Sequence, residues 1–203
     1  MKPNIEPRNY SNLAFHPYNL FMLLLIGSIS ALFIGLTSAY LYSRFVQGFA
    51  PVKLPYIFII TTSILLSSSL FINRAYRAYQ DDQTEQYQKY LWITLGLTLL
   101  FLAGQWLGWQ TLLAHHLSLR SGQGAAYLYL LSMVHFFHVF AGLPFLIAFL
   151  VVAHRKMKEP VSVMIYFSDP EKKLKLRLIR LYWHFLDILW VFLVTILYLN
   201  SLF

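Results

Sequence analysis

An all-α, polytopic membrane bundle of five transmembrane helices, with a cytoplasmic N-terminus and the C-terminus outside, is the fold predicted by this 203-residue sequence. Three observations predict it. The chain is 58% apolar and only 12% charged, with a mean hydropathy of +0.57. It contains five long runs almost free of charge, and its Lys and Arg residues fall mainly between alternate runs. A disordered chain is excluded on this composition, and an ordinary soluble domain is disfavoured.

Each run is long enough to cross a hydrocarbon core about 30 Å thick, which takes roughly 20 helical residues. Tyr18–Ser43 is 26 residues without a charge, too long for the h-region of a cleavable signal. Leu54–Asn73 provides 20 residues, Tyr90–Ala114 provides 25, and Ala125–Ala153 provides 29 with Pro144 interrupting it. Leu181–Phe203 provides 23, with Asp187 as its single acid. No run alternates at period two, as the strands of a closed barrel would. The expected organisation is one membrane domain over 1–203, with helices at about 18–43, 54–73, 90–114, 125–153 and 181–203. A basic cytoplasmic loop, 154–180, joins the last two, with Pro160, Ser168, Asp169 and Pro170 as breakers. Within it Lys172–Arg180 alternates basic and apolar residues, which suits either a solvated topology signal or an interfacial segment leading into the last helix.

Orientation follows from the basic residues. Lys2 and Arg8, then Arg74, Arg77 and Lys89, then eight in the 154–180 connection lie on one side, against Arg44, Lys53 and Arg120 on the other. The positive-inside rule makes the richer side cytoplasmic. The net charge of +8 is therefore mostly a belt facing anionic headgroups, which removes nucleic acid as a partner. Trp92 and Trp183 at inner ends, and Trp109, Tyr127 and Tyr129 at outer ends, are placed as interfacial anchors. With no Cys, disulfides, thiolate metal sites, iron–sulfur clusters, covalent haem and a thiol nucleophile are all excluded.

Helix association in lipid depends on close packing of small residues. Gly27, Ala31, Gly35 and Ala39 form a strip on the first helix. Ser63 and Ser67 share a face of the second, flanked by Ser68 and Ser69, and Gly104 and Gly108 lie on the third.

An ionisable side chain at mid-membrane costs at least about 2.5–3.5 kcal/mol, so each one is a candidate site. His135 and His138 share a face of the fourth helix with Gly142, and read as polar residues that hold helices together. His184 and Asp187 lie on the fifth, with Arg180 one turn below. That stripe suits lipid phosphate, internal pairing or a proton relay. His115 and His116 fall at a solvated helix end. Counting about 1.5 Å per residue puts His184 and Asp187 roughly 6–10 Å from the cytoplasmic side, against roughly 24–28 Å for His138 and His135, so no shared metal is expected. Two imidazoles three residues apart on one helix cannot ligate one haem from both sides. No nucleophile–base pair and no phosphate-binding glycine loop occurs, and no catalytic residue is assigned. A b-type cytochrome anchor and a small transporter remain as rival readings. Against the transporter stand the lack of internal repeats and an odd helix count.

The stretch YWHFLDILW, Tyr182–Trp190, resembles the last-helix signature of subunit III of haem–copper terminal oxidases. His135, His138, Val139 and Gly142 in HFFHVFAG are similar to that family's penultimate helix. Ala39, Tyr40, Tyr42 and Arg44 in SAYLYSR resemble the exit of its first conserved acidic helix, and Phe101, Leu102, Gln105 and Trp109 in FLAGQWLGW resemble the next but one. The order spans all five helices, as in the short bacterial form. Two positions depart from the pattern: Ile29 and Gly108 stand where the family has acids. The resemblance implies a subunit of a cytochrome c or quinol oxidase of the bacterial inner membrane, without a catalytic centre or cofactor of its own. Haem and copper would reside in partner subunits. The chain would pack on the catalytic subunit I and other oxidase subunits, hold structural phospholipid and support proton uptake, with Arg180, Trp183, His184 and Asp187 as the lipid- or proton-side stripe. A nitric-oxide-reductase accessory subunit has a similar pattern.

Overall fold

The structure, a computed structural model, describes residues 17–49, 52, 54–157 and 160–202. Of the basic residues used for orientation, Lys2, Arg8, Lys53 and Lys158 lie outside the described residues. Among the described residues six helices follow in order: α1 (Pro17–Gln47), α2 (Ile57–Gln80), α3 (Thr84–Ala114), α4 (Gln123–Lys156), α5 (Pro160–Ser168) and α6 (Pro170–Leu202). All but α5 are long and apolar enough to cross a membrane.

Helices α2, α3, α4 and α6 form a four-sided bundle, each packed on its two neighbours, and α1 lies mainly across the seam of α4 and α6. Small residues set the closest approaches. Gly104 of α3 leaves no room for a Cβ beside Thr61 of α2, whose Cγ2 would lie 2.4 Å from it, and Phe58 fills the notch over Gly108. The strip on α1 behaves differently: Gly27, Ala31, Gly35 and Ala39 face outward, and nothing lies within 4 Å of a Cβ built on Gly27 or Gly35. On α2, Ser68 turns inward to Thr98 Oγ1 at 3.3 Å, whereas Ser63 faces outward and bonds its own helix, Oγ donating to the Ile59 carbonyl.

The connection expected as a 27-residue loop is largely helical. α4 runs on to Lys156, α5 occupies 160–168, and α6 starts ten residues before Arg180. Both later helices open on proline, which tolerates the first helical position because no N–H is required there. Asp169 caps α6: its Oδ1 accepts from the Glu171 and Lys172 amides at 3.0 and 3.4 Å, and Oδ2 pairs with Lys172 Nζ at 2.8 Å. Rings of Tyr79, Tyr87, Tyr166 and Phe167 gather where α5 meets α2 and α3, and Tyr79 Oη donates to the Tyr166 carbonyl at 3.0 Å. α4 is continuous through Pro144, so the proline does not interrupt it. Its ring faces outward, and the surrounding turns keep the helical path.

The early start of α6 overturns the depth estimate made from the sequence. At 33 residues the helix is about 50 Å long, and Arg180 lies well inside it. Gly142 of α4 faces Tyr182 and Trp183, and His135 faces Trp190, so His138 is level with Leu186 and Asp187. Three of the expected interfacial anchors are core residues as well. Trp183, Trp109 and Tyr129 are buried, with Trp109 Nε1 donating to Ser132 Oγ at 3.0 Å and Tyr129 Oη to the Leu117 carbonyl at 2.9 Å. Trp92 is exposed.

Two expectations follow from the packing. Gly104→Leu should destabilise the bundle by about 1–3 kcal/mol through overpacking at Thr61, whereas Gly27→Leu should leave the isolated chain's unfolding curve unchanged; denaturant titration in micelles checks both. Lys172, with the two backbone amides, holds the Asp169 carboxyl below its ordinary range. Its contribution is therefore present at neutral pH and lost as pH falls through that depressed value. Asp169→Ala should fray the first turns of α6 by about 0.5–2 kcal/mol, read as faster amide exchange over 170–176, and acidification should narrow the gap to wild type.

Candidate functional site

The intramembrane polar residues separate onto two sides of α6. His135 is fully buried in the middle of the bundle. Its ring stacks on Trp190 at 4.8 Å and meets Phe101 and Phe33 edge-on at 5.9 and 6.4 Å. Neither ring nitrogen has a partner. His138 turns toward α1, 5.7 Å from the Phe33 ring, with Nδ1 bonded to the Val134 carbonyl of its own helix at 2.7 Å. These contacts explain the three-residue spacing, which lets one helix offer both imidazoles to the same phenylalanine.

On the other side, α6 faces α2. Three polar side chains of α6 lie along one stripe there, two of them bonded to α2. Arg180 Nη1 donates to Asn73 Oδ1 at 3.2 Å while its guanidinium covers the Tyr76 ring at 4.0 Å. One turn on, His184 Nδ1 and Ser69 Oγ are 2.6 Å apart. Asp187 comes next, 2% exposed, with neither carboxyl oxygen hydrogen-bonded, although the Ser69 hydroxyl faces it. The spacing 180, 184 and 187 keeps all three on the α2 side. Trp183 leaves the stripe: its ring sits in the notch over Gly142, where a Cβ would come within 3.1 Å, and it ties α6 to α4.

Above the Arg180–Asn73 rung, the seam opens into a cavity of about 390 Å³ lined by Leu66, Ser69, His184, Asp187, Ile188 and Val191. Leu66 and Ile188 are exposed at 46% and 70%, so its mouth opens sideways from the bundle, where lipid would lie. Ser69, Asn73 and this cavity were not singled out from the sequence as site residues. The one signal was the serine cluster on the second run, and serines in apolar helices usually bond their own backbone, as Ser63 does.

Among the described residues no three His, Asp or Glu side chains come close enough to hold a metal ion. Depth no longer separates His138 from Asp187, but α6 does, since one faces α1 and the other α2. The intramembrane imidazoles are engaged separately. His135 is closed in by three aromatic rings, and His138 and His184 are held by Val134 and Ser69 on opposite sides of the helix.

At the far end of the bundle a second polar group joins three helices. Arg44 donates to Asn200 Oδ1 at 3.2 Å and to the Phe49 carbonyl, Asn200 donates to Tyr40 Oη, and Ser43 Oγ meets Tyr127 Oη at 3.1 Å.

Comparison with known proteins finds a family model, described as cytochrome c oxidase subunit III, that matches residues 14–202. The cytochrome c oxidase subunit 3 of Thermostichus vulcanus is 30% identical over 187 residues, which are 90% of this chain and 87% of the relative. That of a Synechocystis species is 28% identical over 183 residues, 88% and 73% of the two chains. That of Alkalihalophilus pseudofirmus is 32% identical over 146 residues, 69% and 64% of the two.

Replacing Ser69 by Ala should move the ¹⁵N resonances of the His184 ring, because Nδ1 loses its Ser69 partner, while costing about 0.5–1.5 kcal/mol of bundle stability. Solid-state NMR and denaturant titration in lipid measure the two effects. An unmoved ring signal would contradict the assignment of this rung.

Proposed function

Because the chain belongs to the cytochrome c oxidase subunit III family, we propose that it is a non-catalytic membrane subunit of a proton-pumping haem–copper terminal oxidase of aerobic respiration. The observation that carries this reading is the extent of the match, residues 14–202, which takes in all five membrane-length helices. In this reading the basic end of the bundle faces the cytoplasm of a bacterial inner membrane, in keeping with the positive-inside rule. The chain packs beside the haem- and copper-bearing subunit I and supplies no redox ligand.

Two roles follow for its own residues. Arg180, with Arg74 and Arg77 on the neighbouring helix, forms a belt at the depth of lipid phosphates and holds structural phospholipid against the α2–α6 seam. Asn73 and Tyr76 keep the guanidinium from wandering, so the charge is presented in a fixed place. His184 and Asp187, one and two turns deeper, provide polar groups along which water or a proton can approach the catalytic subunit from the cytoplasmic side. The outward strip on α1 and the exposed apolar faces of the bundle fit burial against partner subunits and lipid.

Arg180→Leu should leave the haem content of the purified complex unchanged, lower the phosphatidylglycerol that co-purifies with it several-fold, and shorten the period of oxygen consumption before inactivation. Lipid extraction with mass spectrometry and an oxygen electrode read the last two. Full lipid retention together with a wild-type inactivation curve would remove Arg180 from this role.

A further inference from the structure

The cavity between α2 and α6 differs in chemistry from the arginine belt next to it. No cation lines it, since Arg180 is turned to Asn73 and Tyr76. Its polar groups are one hydroxyl, one imidazole and one carboxyl, set among Leu66, Ile188 and Val191. Phosphate therefore has no counter-charge there. Asp187 is almost fully buried with neither oxygen hydrogen-bonded, and the neighbouring Ser69 Oγ is engaged with His184 Nδ1 at 2.6 Å. A buried carboxyl in that state is costly unless something supplies a hydrogen bond. His184, which also lines the cavity, spends Nδ1 on Ser69 and keeps Nε2 as its second polar atom.

We infer that this cavity binds the uncharged, hydroxyl-bearing head of a membrane amphiphile, with a head hydroxyl donating to Asp187, a second polar atom meeting His184 Nε2, and the tail leaving between Leu66 and Ile188. This rests on the reading of the α6 stripe as a lipid-contacting surface, and names a second ligand for it. Depth agrees with the chemistry. On the reading that puts Arg180 at phosphate depth, His184 lies four residues and about 6 Å deeper along α6, where uncharged heads settle. The volume of about 390 Å³ lies within the range of small-molecule pockets. Two sources carry such a head: a quinol, with phenolic hydroxyls, and a diacylglycerol-type lipid, with an alcohol.

The experiment uses the complex purified through this chain and reconstituted in nanodiscs, with native mass spectrometry to follow occupancy by decyl-ubiquinol, dioleoylglycerol and dioleoylphosphatidylglycerol. Decyl-ubiquinol or dioleoylglycerol should bind saturably, about tenfold more weakly in Asp187→Asn and several-fold more weakly in Ser69→Ala, and the one that does so identifies the source. Phosphatidylglycerol should be indifferent to both substitutions. The inference is overturned if neither hydroxylated probe saturates a site, if their binding ignores both variants, or if phosphatidylglycerol displaces them in an Asp187-dependent way. Failure of the phosphate-belt reading would appear separately, as phosphatidylglycerol binding that is insensitive to Arg180→Leu.

Discussion

The bundle depends on how α6 is locked against α4. Lipid gives helices no hydrophobic reason to associate, so contact has to come from shape and from satisfied polar groups. Two tryptophans provide most of it. Trp183 occupies the notch that Gly142 leaves open, and Trp190 stacks on His135 while its Nε1 donates to Thr62 of α2 at 3.1 Å. Tyr182 adds a third tie, its Oη donating to the His138 carbonyl at 2.9 Å. These contacts fix the rotation of α6, and that rotation puts Arg180, His184 and Asp187 on the α2 side. Were α6 turned by one residue, about 100°, the stripe would leave the seam and the cavity would lose its polar wall.

The same lock explains why a signature as short as YWHFLDILW holds residues of opposite duties. Tyr182, Trp183 and Trp190 face α4 and the bundle centre, and His184 and Asp187 face α2. One group positions the other. Around Phe33, the aromatic packing of His135 and His138 stands one turn from Ile29. An imidazole enclosed by Phe33, Phe101 and Trp190 is held by ring contacts.

Much of this was legible in the sequence. Uncharged runs of 20 to 29 residues marked the spans directly, because hydrocarbon thickness leaves little choice. The family resemblance was carried by motifs on four of the helices. Helix ends were less legible, since charge marks the membrane boundary and not the end of the helix: α6 starts at Pro170, capped by Asp169, eleven residues before the last apolar run begins. That single difference undid the depth estimate for His138 and Asp187. Tryptophan was also ambiguous, because an indole near a helix end can anchor at the interface or, like Trp183 and Trp109, bury itself against a glycine or a serine of the next helix. Of the site, Arg180, His184 and Asp187 could be read from their spacing. Ser69 and Asn73 could not, because they become part of it only through the pairing of α2 with α6.

The central claim is that this chain supports a redox enzyme from beside it and ligates none of its cofactors. The most direct measurement is an absorbance spectrum taken before and after separation. Purified in mild detergent through a tag on this chain, the preparation should contain haem-bearing partner subunits and a Soret band. After the partners are stripped, the folded chain alone should show none. A Soret band that stays with the isolated chain, or a chain that never brings haem-bearing partners with it, would contradict the account.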